Sequence, residues 1–110
     1  MGTLFSLAEG VHRRRVVSFD RRELGTLLDL YSRRVSSGEW RDYAIDFRPG
    51  MAIFSIFRHS AEQPLYAIAK IVPAATRAGR YQVFRGPQRV AAGDDLKELL
   101  QLFDKRLRLT

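Results

Sequence analysis

One segment near the middle of the chain is apolar on both faces, and this limits the folds that the chain can adopt. Along residues 51–58 the apolar side chains alternate, so that each side of an extended strand holds three of them. One side holds Met51, Ile53 and Phe57, and the other holds Ala52, Phe54 and Ile56. A strand with two apolar faces is typical of the centre of a sheet. The sequence therefore predicts a sheet with this segment as a central strand.

Further strand patterns on both sides of this segment predict an antiparallel sheet of four to six strands. They lie at residues 11–19, 40–47, 65–71, 81–85 and 89–92. The first of these segments contains three consecutive arginines, so we expect an edge strand protected by charge. The dipeptide Pro49-Gly50 fits the centre of a type II turn between segments 40–47 and 51–58.

Two amphipathic helices are predicted, one on each side of the last five strands. Asp20 and Glu23 form a capping-box pattern ahead of a helix over residues 21–36, and Gly38 marks its end. The second helix is predicted from Asp94 or Asp95 to about residue 107. Its apolar stripe holds Leu96, Leu99, Leu100, Phe103 and Leu107. The order of elements predicts an α+β fold with both helices packed on one face of the antiparallel sheet.

Composition excludes several classes of function. The 110 residues fit a single domain, of which residues 1–10 are expected to be flexible or loosely packed. Without cysteine there is no disulfide, thiolate metal site or cysteine nucleophile. The glycine positions fit neither phosphate-binding loop, and the two histidines lie too far apart for the zinc-protease motif. We therefore expect no catalytic residues, no cofactor and no metal.

The sequence predicts neither a membrane span nor a secretion signal. No run approaches the roughly 18 apolar residues of a membrane span. The first residues lack the basic start and long apolar core of a secretion signal. We therefore expect a cytoplasmic protein with no membrane association.

The net charge of +7 comes mainly from arginine and is unevenly distributed. Residues 41–93 carry eight basic and three acidic side chains, whereas the last 17 residues are balanced. Arginine suits phosphate and carboxylate, so one interpretation is a nucleic-acid partner. The other is a solvated surface that is rich in arginine for compositional reasons. The candidate anion contacts are Arg58, Arg77, Arg80, Arg85 and Arg89.

If both helices cover one face of the sheet, the apolar side chains Met51, Ile53 and Phe57 need another cover. A second copy of the chain in a homodimer, a different protein, or the N-terminal residues around Phe5 could supply it. These three side chains are therefore the candidate interface residues.

Three functions remain open at this point. We expect a non-catalytic binding or regulatory module that acts through protein–protein contacts. The alternative is a nucleic-acid-binding protein that uses the arginine-rich strands. The third is a small enzyme centred on residues 58–62, where His59, Ser60 and Glu62 are close in sequence. An ordinary polar turn explains that loop equally simply.

Four segments resemble a family of small alphaproteobacterial proteins, the domain of unknown function 2794. They are residues 17–24 (VSFDRREL), 38–47 (GEWRDYAIDF), 54–58 (FSIFR) and 62–66 (EQPLY). The resemblance extends over about residues 16–105, and residues 38–47 are its most distinctive part. It implies a bacterial cytoplasmic protein and supplies no activity, cofactor or site residues.

Overall fold

Five strands form one meander with a long helix before it and two short helices after it. The structure, a computed structural model, describes residues 17–59, 63–72 and 79–105. In chain order the elements are α1 (Arg21–Ser36), β1 (Asp42–Arg48), β2 (Met51–Phe57), β3 (Tyr66–Ile71), β4 (Tyr81–Arg85), β5 (Gln88–Gly93), α2 (Leu96–Leu100) and α3 (Leu102–Lys105). The strands are hydrogen-bonded in the order β1-β2-β3-β4-β5, each antiparallel to the next. The predicted α+β class with an antiparallel sheet is confirmed.

The start of α1 forms as its sequence predicts. The Asp20 carboxylate accepts the Glu23 N–H at 2.8 Å, and the Glu23 carboxylate accepts the Asp20 N–H at 2.7 Å. This capping box satisfies two backbone donors at the helix entrance. At the other end, Gly38 has a φ of +82°, which a residue with a side chain rarely adopts. The helix therefore ends at Ser36, the residue at which the sequence predicts its end.

The pairing register divides the sheet into two faces, because residues directly opposite each other in neighbouring strands point to the same side. Phe54 of β2 lies opposite Ile45 of β1 and Ile68 of β3. We call this side the Phe54 face. Ile53 lies opposite Asp46 and Ala69, and we call that side the Ile53 face.

The hydrophobic core lies on the Phe54 face. Ala52, Phe54 and Ile56 are fully buried there, which confirms the central position predicted for this strand. Rings from the helices reach the same face. Tyr31 of α1 lies with its ring centroid 6.5 Å from that of Phe54, and Phe103 of α3 lies 5.0 Å from that of Tyr66.

Two predicted elements differ from the structure. The strand predicted over residues 11–19 is absent at residues 17–19, where Val17 and Phe19 are buried in extended chain beside the core. The rest of it, and the N-terminal residues 1–10, lie outside the described residues. The last helix was predicted as one piece, but a turn at Gln101 separates α2 from α3. The Gln101 N–H bonds to the Glu98 carbonyl three residues back at 3.1 Å, which tightens the backbone at that point.

Candidate functional site

The three candidate interface residues share the Ile53 face. Met51, Ile53 and Phe57 are each partly exposed, unlike the fully buried side chains between them. In the pairing register, Ile71 of β3 lies beside Met51, which extends the apolar surface across a second strand. The partly exposed Phe84 of β4 extends it across a third.

The middle of the Ile53 face is made of small side chains. Ser55 of β2 lies between Ala44 of β1 and Ala67 of β3. Ser55 and the neighbouring Ala69 are buried, 6% and 4% exposed respectively. Larger apolar side chains lie around these small ones, together with the buried Gln82 of β4, which lies opposite Ala69. The described part of this face also carries Asp42, Asp46 and Arg48 of β1, which lie opposite Phe57, Ile53 and Met51.

The candidate anion contacts fall into two groups at opposite ends of the sheet. Arg58 follows the end of β2, Arg85 is the last residue of β4, and Arg89 lies at the start of β5. In an antiparallel meander these positions meet at one end, where Arg41 also precedes β1. We call this the basic end, and all four of its arginines are exposed. Arg80 precedes β4 and lies at the other end, and Arg77 lies outside the described residues.

A cavity of about 420 Å³ opens at the basic end. Its described lining is Arg58, His59, Gln63, Pro64, Leu65, Arg85 and Gly86. The Arg85 guanidinium lies 5.9 Å from the centroid of the buried Tyr66 ring, a contact that orients it. Two arginines and a histidine give this cavity a lining suited to an anion. Of the predicted catalytic loop, the structure describes only Arg58 and His59, both exposed.

A larger cavity of about 710 Å³ lies between α1 and α2 and has a mixed charge. Arg22, Arg33 and Lys97 line it together with Asp29, and Asp29 lies 3.5 Å from the Arg33 guanidinium. These two residues are four positions apart on α1, a spacing at which opposite charges can pair. Since the acid already faces a base, the cavity offers a less uniform electrostatic environment than the basic end.

A buried polar cluster joins α1 to β3 and β4. The Glu23 carboxylate accepts hydrogen bonds from the Lys70 ammonium at 2.8 Å and from the Tyr81 hydroxyl, in addition to the one from the Asp20 N–H. Lys70 also donates to the Ser18 carbonyl at 2.9 Å. Both Glu23 oxygens are occupied, so the cluster is built to hold the helix against the sheet.

The surroundings change the acidity of two groups in this cluster. Burial by itself would raise the pKa of Glu23. Hydrogen bonds from Lys70, Tyr81 and the Asp20 N–H, with the charge of Lys70, outweigh it and hold that pKa below its usual value. Burial and the hydrogen bond to Glu23 raise the pKa of Tyr81 to about 12. Glu23 therefore stays ionised and Tyr81 stays protonated over the whole neutral range.

Sequence reasoning assigned Glu23 only to the helix cap and missed its tertiary partners. One signal was available, because Lys70 alternates with Ile68 and Tyr66 and so lies on the apolar side of β3. A lysine on a core face requires a buried partner. Nothing in the sequence identified which acid that would be.

Arg34 is a second residue that sequence reasoning missed. It is 5% exposed, and its guanidinium donates to the Glu39 carboxylate at 2.8 Å and to the Phe103 carbonyl. The contact ties the end of α1 to α3. Arg34 lies seven residues after Leu27 and four after Leu30, on the buried side of α1, and this helical spacing was the available signal.

Within the described residues, no cluster of three or more histidine, aspartate or glutamate side chains could hold a metal ion. In the same part of the chain, no helix has the length and apolar character needed to cross a bilayer.

Comparison with known proteins gives a family and no activity. No curated protein and no solved structure shows significant similarity to the chain. A family model described as "Protein of unknown function (DUF2794)" matches residues 17–100. The match runs from the core residue Val17 to the end of α2 and so includes α1 and all five strands. Since it covers most of the chain, the protein belongs to the DUF2794 family.

Proposed function

We propose that this protein is a non-catalytic binding module that acts through protein–protein contacts, with the Ile53 face as its contact surface. The observation that carries the proposal is the group of partly exposed apolar side chains on three neighbouring strands: Met51, Ile53, Phe57, Ile71 and Phe84. An apolar patch of this kind on a small domain marks an interaction site. The small residues at its centre leave a flat surface that a protein partner can cover.

The first experiment asks whether the face is available in the isolated protein. Ile53→Glu should reduce binding of an apolar fluorescent dye and lower the free energy of unfolding by less than about 1 kcal/mol. Val35→Glu is the control, because Val35 is 40% exposed on α1. It should leave dye binding unchanged. A wild-type protein that binds no dye, together with a loss of several kcal/mol in Ile53→Glu, would show that the chain covers the face itself.

The second experiment asks whether a protein binds there. A photo-reactive amino acid at position 57 should give one discrete cross-linked adduct in cells, and the adduct should disappear when Ile53→Glu is added. The same amino acid at Asp29, on the exposed side of α1, is the control position. Equal adducts at both positions would contradict a specific contact through the Ile53 face.

Nucleic-acid binding is the second candidate, and the arrangement of the basic end favours it. Arg41, Arg58, Arg85 and Arg89 are carried on four different strand termini at the same end of the sheet. Separate phosphates along a strand could each contact one guanidinium there. The adjoining cavity adds His59 and places the ring of Tyr66 beneath Arg85.

Fluorescence anisotropy with a labelled oligonucleotide tests this second candidate. The affinity should fall steeply with salt, by about 0.9 log units per log unit of salt for each phosphate neutralised on duplex DNA. Replacing both Arg58 and Arg85 with Gln should weaken binding and reduce that slope. Arg80→Gln, at the opposite end of the sheet, is the matched control. A binding signal that is indifferent to salt, or an equal loss in the control, would exclude the basic end as a nucleic-acid site.

A further inference from the structure

The outer edge of β1 carries side chains that are complementary to themselves. Among the strands that the structure describes, β1 pairs with β2 only, so one side of its seven-residue backbone faces away from the sheet. On β1 the Tyr43 N–H donates to the Asp42 carboxylate at 2.8 Å. A strand edge of this length still offers further N–H and C=O groups and is a template for another strand. Natural proteins usually protect such an edge with a proline, a bulge or inward charges, and β1 has no proline between Asp42 and Arg48.

The side chains along this edge are unusually exposed for their type. Phe47 is 61% exposed and Tyr43 is 38% exposed, and both lie on the Phe54 face. On the Ile53 face of the same strand, Asp42 and Arg48 are exposed at its two ends. The Tyr43 ring also packs against Tyr31 and Phe54, at centroid distances of 4.9 and 5.1 Å. The exposed part of that ring, the Phe47 ring and the two opposite charges lie at the border of the sheet.

The spacing of these four residues is symmetric about Ile45. If β1 pairs antiparallel with β1 of a second copy, centred on Ile45, then Tyr43 lies opposite Phe47 and Asp42 lies opposite Arg48. The two-fold axis repeats each pair, so the contact gains two aromatic pairs and two ion pairs. Cross-strand pairs of both kinds stabilise antiparallel sheets.

The neighbouring registers are unfavourable. Centring the pair on Ala44 places Asp42 opposite Asp46 twice. Centring it on Asp46 places that carboxylate opposite its own copy and brings Pro49, which has no N–H, opposite Tyr43. Like charges directly opposite each other destabilise a strand pair. Of these three registers, only the one centred on Ile45 avoids both faults.

We propose that two copies of this chain associate through β1 in this register and form one continuous ten-stranded sheet. In that sheet the Ile53 faces of both copies lie on the same side, because paired residues share a face. The association uses the strand edge and does not depend on the Ile53 face as a contact surface.

Sedimentation equilibrium with charge-reversal variants tests the proposal. The wild-type protein should have twice the chain mass of 12.6 kDa. Asp42→Arg and Arg48→Asp each place like charges opposite each other, so each alone should weaken the dimer by about tenfold or more, which corresponds to about 1.4 kcal/mol. The double variant should restore wild-type association. Asp46→Arg is the control, since Asp46 lies opposite Ala44 in this register and its reversal should change the dimer little.

Three outcomes would overturn the proposal. The first is a mass of 12.6 kDa at the highest soluble concentration. If hydrogen exchange then shows β1 amides protected in that monomer, a segment of the same chain occupies the edge. The second is a dimer whose association is unchanged by either charge reversal but is lost in Ile53→Glu. That result would assign self-association to the Ile53 face. The third is a double variant that stays monomeric with an intact far-ultraviolet circular dichroism spectrum, because the charges would then not be opposite each other.

Discussion

The Lys70 ammonium of β3 lies 2.8 Å from the Glu23 carboxylate in the first turn of α1, and both side chains are almost buried. Because Glu23 also closes the capping box, one carboxylate both starts the helix and fixes it to the sheet. A buried ion pair with one partner removed leaves an uncompensated charge.

Glu23→Gln should therefore lower the free energy of unfolding by about 3 kcal/mol, because Lys70 would lose its only described carboxylate partner. Urea unfolding followed by circular dichroism measures the change. The control is Glu98→Gln, at the equivalent position in the first turn of α2, which is exposed and should cost less than about 0.5 kcal/mol. Equal losses in the two variants would mean that the capping position, and not the tertiary pair, stabilises the fold.

Stability should also depend on pH through this cluster, with opposite signs at the two extremes. Folding lowers the pKa of Glu23, so its contribution is present above the ordinary pKa of 4.5 and is lost as the pH falls through the lower folded value. The pKa of Tyr81 is raised from 10.0 to about 12, so its contribution is present below pH 10.0 and is lost as the pH rises toward 12.

The variant Tyr81→Phe distinguishes the loss of stability at alkaline pH from the loss at acid pH. Urea midpoints measured across the pH range should show a weaker alkaline decline than in the wild-type protein, because the titrating phenol is gone. The acid decline should remain, since Lys70 and the Asp20 N–H still bind Glu23. An alkaline decline as steep as that of the wild-type protein would show that other groups produce it.

Arg34→Lys should destabilise the protein although it keeps the charge. The planar guanidinium donates from two different nitrogens, one to the Glu39 carboxylate and one to the Phe103 carbonyl. A lysine ammonium has a single nitrogen and cannot reproduce this geometry. We expect a loss of about 2 kcal/mol in thermal or urea unfolding. Arg33→Lys is the matched control on a side chain that is 55% exposed, with an expected change below about 0.5 kcal/mol. A neutral Arg34→Lys would indicate that charge alone matters at this position.

Two glycines should respond in opposite directions to alanine. Gly25 lies inside α1, and a Cβ added there would have no neighbouring atom within 4 Å, so Gly25→Ala should raise the free energy of unfolding by about 1 kcal/mol. Gly79 has a φ of +123°, and a Cβ there would meet the Gly93 backbone at 2.7 Å. Gly79→Ala should therefore cost about 2 kcal/mol or more. Differential scanning calorimetry of both variants tests the pair, and a shift of the same sign in both would contradict it.

Local patterns in the sequence predicted most of the fold. The capping residues, the turn at Gly50 and the alternation in β2 each depend on neighbours within a few positions, where backbone geometry dominates. The errors have a different origin. Residues 17–19 alternate like a strand, but Val17 and Phe19 are buried beside the core without strand pairing. Burial of every second side chain against the core produces the same alternation in the sequence as a strand does.

The candidate sites could be predicted only in part. Alternation assigned Met51, Ile53 and Phe57 to one side of a strand, and the structure places them on one face. The arginines could not be grouped from their order, because sequence distance does not reveal which strand ends coincide. The meander brings Arg58, Arg85 and Arg89 together and leaves Arg80 at the other end.

The sequence by itself determined the α+β class, the long helix with its cap and a central strand with two apolar faces, because these follow from periodicity and local hydrogen bonding. The tertiary structure was needed to show which acid neutralises Lys70, that Arg34 bonds the Phe103 carbonyl, and that β1 lies at an edge of the described sheet. Each of these depends on contacts between residues far apart in the chain. Their partners are selected by the packing of the whole domain and not by any local pattern.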